Sequence, residues 1–107
     1  MEKTLFEIDD DSFEVHVIKA KGKVLVDFWS PRCASCKGLE KELILLKDEI
    51  GDILEIVKIN VDDNPLVRGE FEILHLPTLG LFENGEFVRF IGGIGKKEFL
   101  KEELGFN

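Results

Sequence analysis

The spacing of apolar and polar positions changes several times along this chain, and each change marks an element. Thr4 to Ile8, TLFEI, alternates as a short strand does. DDDSFEVHVIKAKGK predicts a short helix that ends near Gly22. Asp9 to Asp11 stand at its start, where acids favour the helix dipole, and Asp11 and Glu14 have capping-box spacing. Lys23 to Trp29, KVLVDFW, is an apolar run broken by one acid, the pattern of a central strand buried on both faces. From about Cys33 the period lengthens. Cys36, Leu39, Leu43, Leu46 and Ile50 recur at spacings of three and four, which is one face of a long helix, and Gly51 supplies its stop.

Ile53 to Val61, ILEIVKINV, predicts the next strand, and strand–helix–strand at this length is a right-handed unit with parallel strands. Asn64 as N-cap and Pro65 at the first helical position start a further short helix. Thr78 to Glu83 and Phe87 to Ile91 read as two arms of a hairpin around Asn84-Gly85, a type I′ turn pair. Lys96 to Leu104 closes the chain as an amphipathic helix. The order βαβαβαββα describes an α/β fold, a mixed central sheet of about five strands flanked by four helices. No repeat or linker interrupts it, so residues 1–107 form one domain.

Composition narrows the function. The chain is 44% hydrophobic and 34% charged, with no apolar run of membrane length. A formal net charge of −8 argues against nucleic acid, whose phosphates need a basic face, and suits partners with basic rims. MEKTLFEIDDD has no apolar core and no small-residue cleavage site, so it does not read as a secretory signal, and a cytoplasmic location is expected, the alternative being a mature chain from which a signal has been removed. In a thiol-reducing compartment a close cysteine pair is more often redox-active or metal-binding than a structural disulfide.

The chain has two cysteines, Cys33 and Cys36, in VLVDFWSPRCASCKGLE. Cys33 falls where a loop leaves the buried strand and enters the long helix. The helix N-terminus and the neighbouring Arg32 both favour its thiolate, which makes it the nucleophile. Cys36 lies one turn on, on the apolar face, and suits a protected resolving thiol for dithiol–disulfide exchange. Three alternatives stand beside this. Zinc needs four ligands, and only His16 and His75 could join the cysteines. An iron–sulfur cluster could be shared between two chains, or the cysteines could simply fill core. Asp27, in the strand just upstream, is a costly residue in a dry place unless it is paired or protonated.

VDFWSPRCASCK, VKINVDDNP, LPT and ENGE followed by IGG resemble, in order and separation, the motifs of the thioredoxin family. The resemblance runs from the first strand to the last helix. It implies a protein-disulfide reductase in which Cys33 attacks and Cys36 resolves. Asp27 matches the buried acid that moves a proton for Cys36, and Lys58 matches the lysine that partners it. An Asp27–Lys58 ion pair without catalytic duty is the plainer alternative. Pro77 matches a cis-proline that faces the cysteines and leaves the Leu76 backbone free for a substrate strand. Gly92 and Gly93 match the small-residue loop at the edge of the substrate groove, being otherwise an ordinary strand-to-helix turn, and Trp29 and Arg32 are taken with them as substrate-binding. The implied partners are protein disulfides and a separate reductase, NADPH-, ferredoxin- or glutathione-linked. No bound cofactor or metal, nucleic acid or membrane is implied, and the chain is expected to be a monomer.

Three positions depart from the family pattern. Arg32-Cys33-Ala34-Ser35-Cys36 replaces the usual Trp-Cys-Gly-Pro-Cys. Arg32 and Ser35 both favour a thiolate, which implies a weaker reductant, closer to an isomerase-like or glutaredoxin-like oxidoreductase. Glu40-Lys41 stands where a kinking proline is usual, so the helix is expected to run straighter. His75 precedes Leu76-Pro77 where a smaller residue is common, and is read as a surface histidine that bears on groove charge. A non-catalytic adaptor that keeps only the fold is the remaining alternative.

Overall fold

The computed structural model describes residues 3–92 and 95–106. Five strands form one sheet in the order β1-β3-β2-β4-β5: β1 (Phe6–Ile8), β2 (Lys23–Trp29), β3 (Glu55–Asn60), β4 (Thr78–Glu83) and β5 (Glu86–Ile91). β1, β3 and β2 run parallel, while β4 and β5 are antiparallel. β2 lies at the centre, hydrogen-bonded on both edges and covered on both faces, which is why its sequence is a nearly unbroken apolar run. Helices α1 (Ala34–Ile50), α2 (Pro65–Glu70) and α3 (Lys97–Leu104) and a π-helical turn (Glu14–Ile18) cover the sheet. The element order and mixed sheet are those expected from the apolar pattern.

The core splits into two layers by strand alternation. Leu25, Leu39, Leu43, Leu46, Leu79 and Leu100 pack on the α1–α3 side. Val24, Val26, Phe28, Val67, Ile73 and Phe82 pack on the α2 side. Asp27, two residues from Leu25, therefore faces α1.

Local chemistry differs from the sequence expectation at three ends. The first helix is shorter than expected, its N-cap Phe13 has no side-chain cap bond, and the reciprocal bonds in the turn before it join Asp9 and Ser12 rather than Asp11 and Glu14. The Ser12 N–H donates to Asp9 Oδ1 at 2.9 Å and the Asp9 N–H to Ser12 Oγ at 3.1 Å. Asn64 occupies the N-cap position of α2 without a side-chain cap bond of its own. Asp10 caps that helix instead, accepting the N–H groups of Leu66 (3.1 Å) and Val67 (2.9 Å), while the Asp10 N–H donates to Asn64 Oδ1 at 2.8 Å. A 3₁₀ turn (Gly51–Ile53) follows α1 and delays β3 to Glu55. The hairpin turn has positive φ at both Asn84 (51°) and Gly85 (84°), as a type I′ turn requires.

Candidate active site

Cys33 is the N-cap residue of α1, in extended backbone, and Cys36 lies in the first turn. The two are joined as a disulfide with their Cα atoms 5.4 Å apart. Cys33 is half-buried at the end of the β2–α1 loop, whereas Cys36 is 3% exposed and shares the buried face of α1 with Leu39 and Leu43. The asymmetry is that of an accessible sulfur and a protected one. Ser35 Oγ lies 3.5 Å from Cys33 Sγ, close enough to donate to a thiolate there.

Arg32 is not free to act on Cys33 alone. Its side chain is 83% exposed, yet its guanidinium is turned to Asp62, with Nε donating to Oδ2 at 3.1 Å and Nη2 to Oδ1 at 3.0 Å. Ser30 Oγ donates to the same carboxylate at 2.6 Å, and Arg68 approaches it at 3.6 Å. The Arg32 bond, then that of Ser30, lowers the Asp62 pKa, so the carboxylate is a fixed counter-charge. The positive charge expected beside Cys33 is thereby largely balanced.

Behind the cysteines the strand registers place Glu7 of β1, Lys58 of β3 and Asp27 of β2 in one lateral row on the α1 face. Asp27 is 1% exposed, and among the described residues its Oδ1 has no hydrogen-bond partner. Burial pushes its carboxyl up to about 7; the charge of Glu40 adds to the rise, Lys58 opposes it and Glu7 adds to it. The expected Asp27–Lys58 ion pair is replaced by another. Lys58 Nζ donates to Glu40 Oε2 at 3.0 Å and to Oε1 at 3.2 Å, lies 3.9 Å from Glu7, and sits 4.8 Å from the Trp29 ring centroid.

Beside the cysteine pair runs an open apolar groove of about 960 Å³, lined by Ser35, Leu39, His75, Pro77, Phe90 and Gly92 among others. The Leu76–Pro77 peptide is cis. Among the described residues nothing bonds to the Leu76 backbone, and its side chain packs on the α2-side core. Gly93 lies outside the described residues. Trp29 is not on this groove. Its indole N–H donates to Glu7 Oε2 at 2.9 Å, and it lines a separate acidic depression with Asp9 to Asp11. No three His, Cys, Asp or Glu side chains converge as a metal site among the described residues, and His16 stacks edge-on against Phe6.

The sequence reading brought Cys33, Cys36, Asp27 and Lys58 into one region but missed Glu40 and Asp62. Glu40 carried a signal, since it is an acid four residues after Cys36, on the same side of α1 as the buried cysteine. Asp62 carried none beyond being one of several acids after β3.

The thioredoxin family model matches residues 4–105. A thioredoxin of Bacillus subtilis is 41% identical over 93 residues, covering 87% of this chain and 88% of its own. One of Streptomyces clavuligerus is 37% identical over 100 residues (94% and 92%), and one of Listeria monocytogenes 40% over 98 (92% and 93%).

Proposed function

We propose, from the premise that this chain belongs to the thioredoxin family and is a thiol–disulfide oxidoreductase, that Cys33 and Cys36 reduce disulfides of other proteins in a two-step exchange. The Cys33 thiolate attacks one sulfur of the substrate disulfide, forming a mixed disulfide and releasing the first substrate thiolate. Cys36 then loses its proton and attacks the Cys33 sulfur, which closes the Cys33–Cys36 disulfide and releases the second substrate thiolate. Two electrons pass from the dithiol to the substrate. A separate reductase restores the dithiol.

The observation that carries this reading is the half-buried Cys33 and the 3%-exposed Cys36, bonded to each other around Ser35, which lines an apolar groove. Asp27 is the proton acceptor for Cys36, supported by its place on the α1 face and its elevated pKa. Lys58 acts on Asp27 by charge. Pro77 and Gly92 meet the substrate chain in the groove, with the unbonded Leu76 backbone available to pair with it. Arg32 and Trp29 belong to the rim: Arg32 presents charge to partners, and Trp29 reports the state of the site to fluorescence. The acidic surface suits a reductase with a basic docking face. No described helix is long and apolar enough to cross a membrane, and a cytoplasmic monomer serving cell redox homeostasis and electron transport is the setting that fits.

A second reading, a more oxidising isomerase-like or glutaredoxin-like protein, is favoured by Ser35 Oγ beside Cys33 Sγ. The balanced charge of Arg32 weakens it. A redox titration against dithiothreitol, read by Trp29 fluorescence with Cys36→Ser as control, separates the two. A two-electron transition near about −270 mV supports the reductase, and one near about −180 to −200 mV the second reading. The absence of any transition would overturn both.

A further inference from the structure

We infer that Glu40 is a positioning residue, which holds the Lys58 ammonium away from Asp27 and leaves the buried Asp27 carboxyl without a cation partner. Adjacent strands are about 4.8 Å apart, so Lys58 on β3 has Glu7 on one side and Asp27 on the other. Attraction is strongest where water is least, and Asp27 is the drier neighbour. The ammonium nevertheless bonds both oxygens of Glu40, which reaches across from α1.

Two contacts fix that choice. The Leu5 N–H donates to Glu40 Oε2 at 3.2 Å, so a backbone group orients the Glu40 carboxylate independently of the lysine. Trp29 lies against the ammonium at 4.8 Å from its ring centroid, and its N–H holds Glu7. Lys58 is only 12% exposed, so these partners stand in for its water.

The charges that face Asp27 are Glu40 from α1, Lys58 from β3 and Glu7 from β1; its β4 neighbour is Leu79, which is uncharged. An ionised Asp27 would make three carboxylates around one ammonium. A protonated Asp27 leaves two, and burial then costs least. The elevated Asp27 pKa agrees with this arrangement, in which the Glu40 charge is the largest contribution after burial. Cys36 stands one turn before Glu40 on the same helix, so the residue that occupies the lysine is built into the element that carries the resolving thiol.

The importance of Glu40 for turnover rests on Asp27 serving Cys36, as proposed above. Its effect on Asp27 is read directly at the carboxyl carbon, by ¹³C NMR across a pH titration of the disulfide form. In Glu40→Gln, which keeps an acceptor for Leu5, Lys58 is free to turn to Asp27, and the Asp27 midpoint falls by about one pH unit or more. Glu40→Ala gives the same direction, and Glu40→Asp restores most of the original midpoint. Loss of the Glu40 charge alone lowers the midpoint equally with Lys58 or Lys58→Gln in place, whereas loss of positioning lowers it more where Lys58 is present. An equal fall in the two backgrounds overturns the inference. An unchanged or raised midpoint in both Gln and Ala variants, with the fold confirmed by circular dichroism, overturns the inference. An unaltered pH profile of turnover in Asp27→Asn overturns the role of Asp27 instead, and leaves the Glu40 titration standing.

Discussion

Arg32 and Asp62 meet in a two-point contact, Nε to Oδ2 and Nη2 to Oδ1, thirty positions apart in sequence and directly beside the cysteine loop. The contact ties the residue before Cys33 to the turn after β3. It also sets a carboxylate against the guanidinium of the residue next to Cys33. Asp62→Asn keeps the loop's geometry in reach of hydrogen bonds but removes the counter-charge, which leaves Arg32 and Arg68 uncompensated near the thiol. The Cys33 thiolate fraction then rises, and alkylation of reduced protein by iodoacetamide at neutral pH accelerates by about two- to fivefold at low salt. High salt erases most of that difference. An alkylation rate that Asp62→Asn leaves unchanged at low salt would mean that the guanidinium does not act on Cys33.

The buried carboxyl of Asp27 makes stability depend on pH in an unusual direction. Its folded pKa of about 7 lies above the 3.8 of an ordinary aspartate, so the folded protein holds a proton that the unfolded chain releases across that interval. The contribution is fully present below pH 3.8, is lost progressively as pH rises toward 7, and is flat above it. The loss is at most about 4 kcal/mol, from about three pH units at 1.36 kcal/mol each. Asp27→Asn lacks this slope. Urea unfolding at pH 8 therefore shows the variant gaining on the parent by up to that amount relative to the same comparison at pH 4. Equal differences at the two pH values would place the Asp27 pKa near its ordinary value in both states.

Asp10, rather than the residue after it, carries a helix cap. It accepts two N–H groups of α2 and donates its own to Asn64, which in turn donates to the Asn60 carbonyl at 2.8 Å. Asp10→Ala strips α2 of its cap and costs about 1–2 kcal/mol in chemical denaturation. Asp11→Ala, for which no side-chain bond holds the acid in place among the described residues, changes stability by less than about 0.5 kcal/mol. The reverse ranking would restore the capping box expected from the spacing of Asp11 and Glu14.

These cases show what was legible in the sequence. β2, α1 and the hairpin each announce themselves through one strong local pattern: an apolar run, a three–four spacing, an Asn-Gly pair. Cys33 and Cys36 are positioned by those elements, so the accessible and buried sulfurs could be told apart in advance. The choice of partner among several acids could not. Asp9, Asp10 and Asp11 are equivalent by local rules, and contact with α2, more than fifty positions away, decides which one caps it. Likewise Asp27 and Glu40 both compete for Lys58. The register brings Asp27 alongside, but a rotamer reaching from α1, supported by the Leu5 backbone, wins the ammonium. Resemblance pointed to Asp27 as the partner because it concerns β2 and β3, and Glu40 is a departure from the pattern on which it rests.

The hairpin tip and the residue before β2 offer a contrast between two glycines with almost the same φ. Gly22 has φ 83° and Gly85 φ 84°, both in the left-handed region that costs an L side chain about 1–2 kcal/mol. A Cβ at Gly22 would meet nothing within 4 Å, whereas one at Gly85 would strike the Ile18 carbonyl oxygen well inside van der Waals contact. That oxygen is backbone and has no rotamer to turn. The tip is also held from the other side, since the Asn84 N–H donates to the Gly22 carbonyl at 2.9 Å and the Gly22 N–H to Asn84 Oδ1 at 2.8 Å. Gly22→Ala therefore loses only the conformational amount. Gly85→Ala adds overpacking and loses about 2–4 kcal/mol in total. Equal losses in urea unfolding would mean that the Glu14–Ile18 turn shifts to accept the methyl group. In either variant the Cys33–Cys36 midpoint of the folded protein stays where it is, because neither glycine is among the residues that line the groove or the charge row behind Cys36.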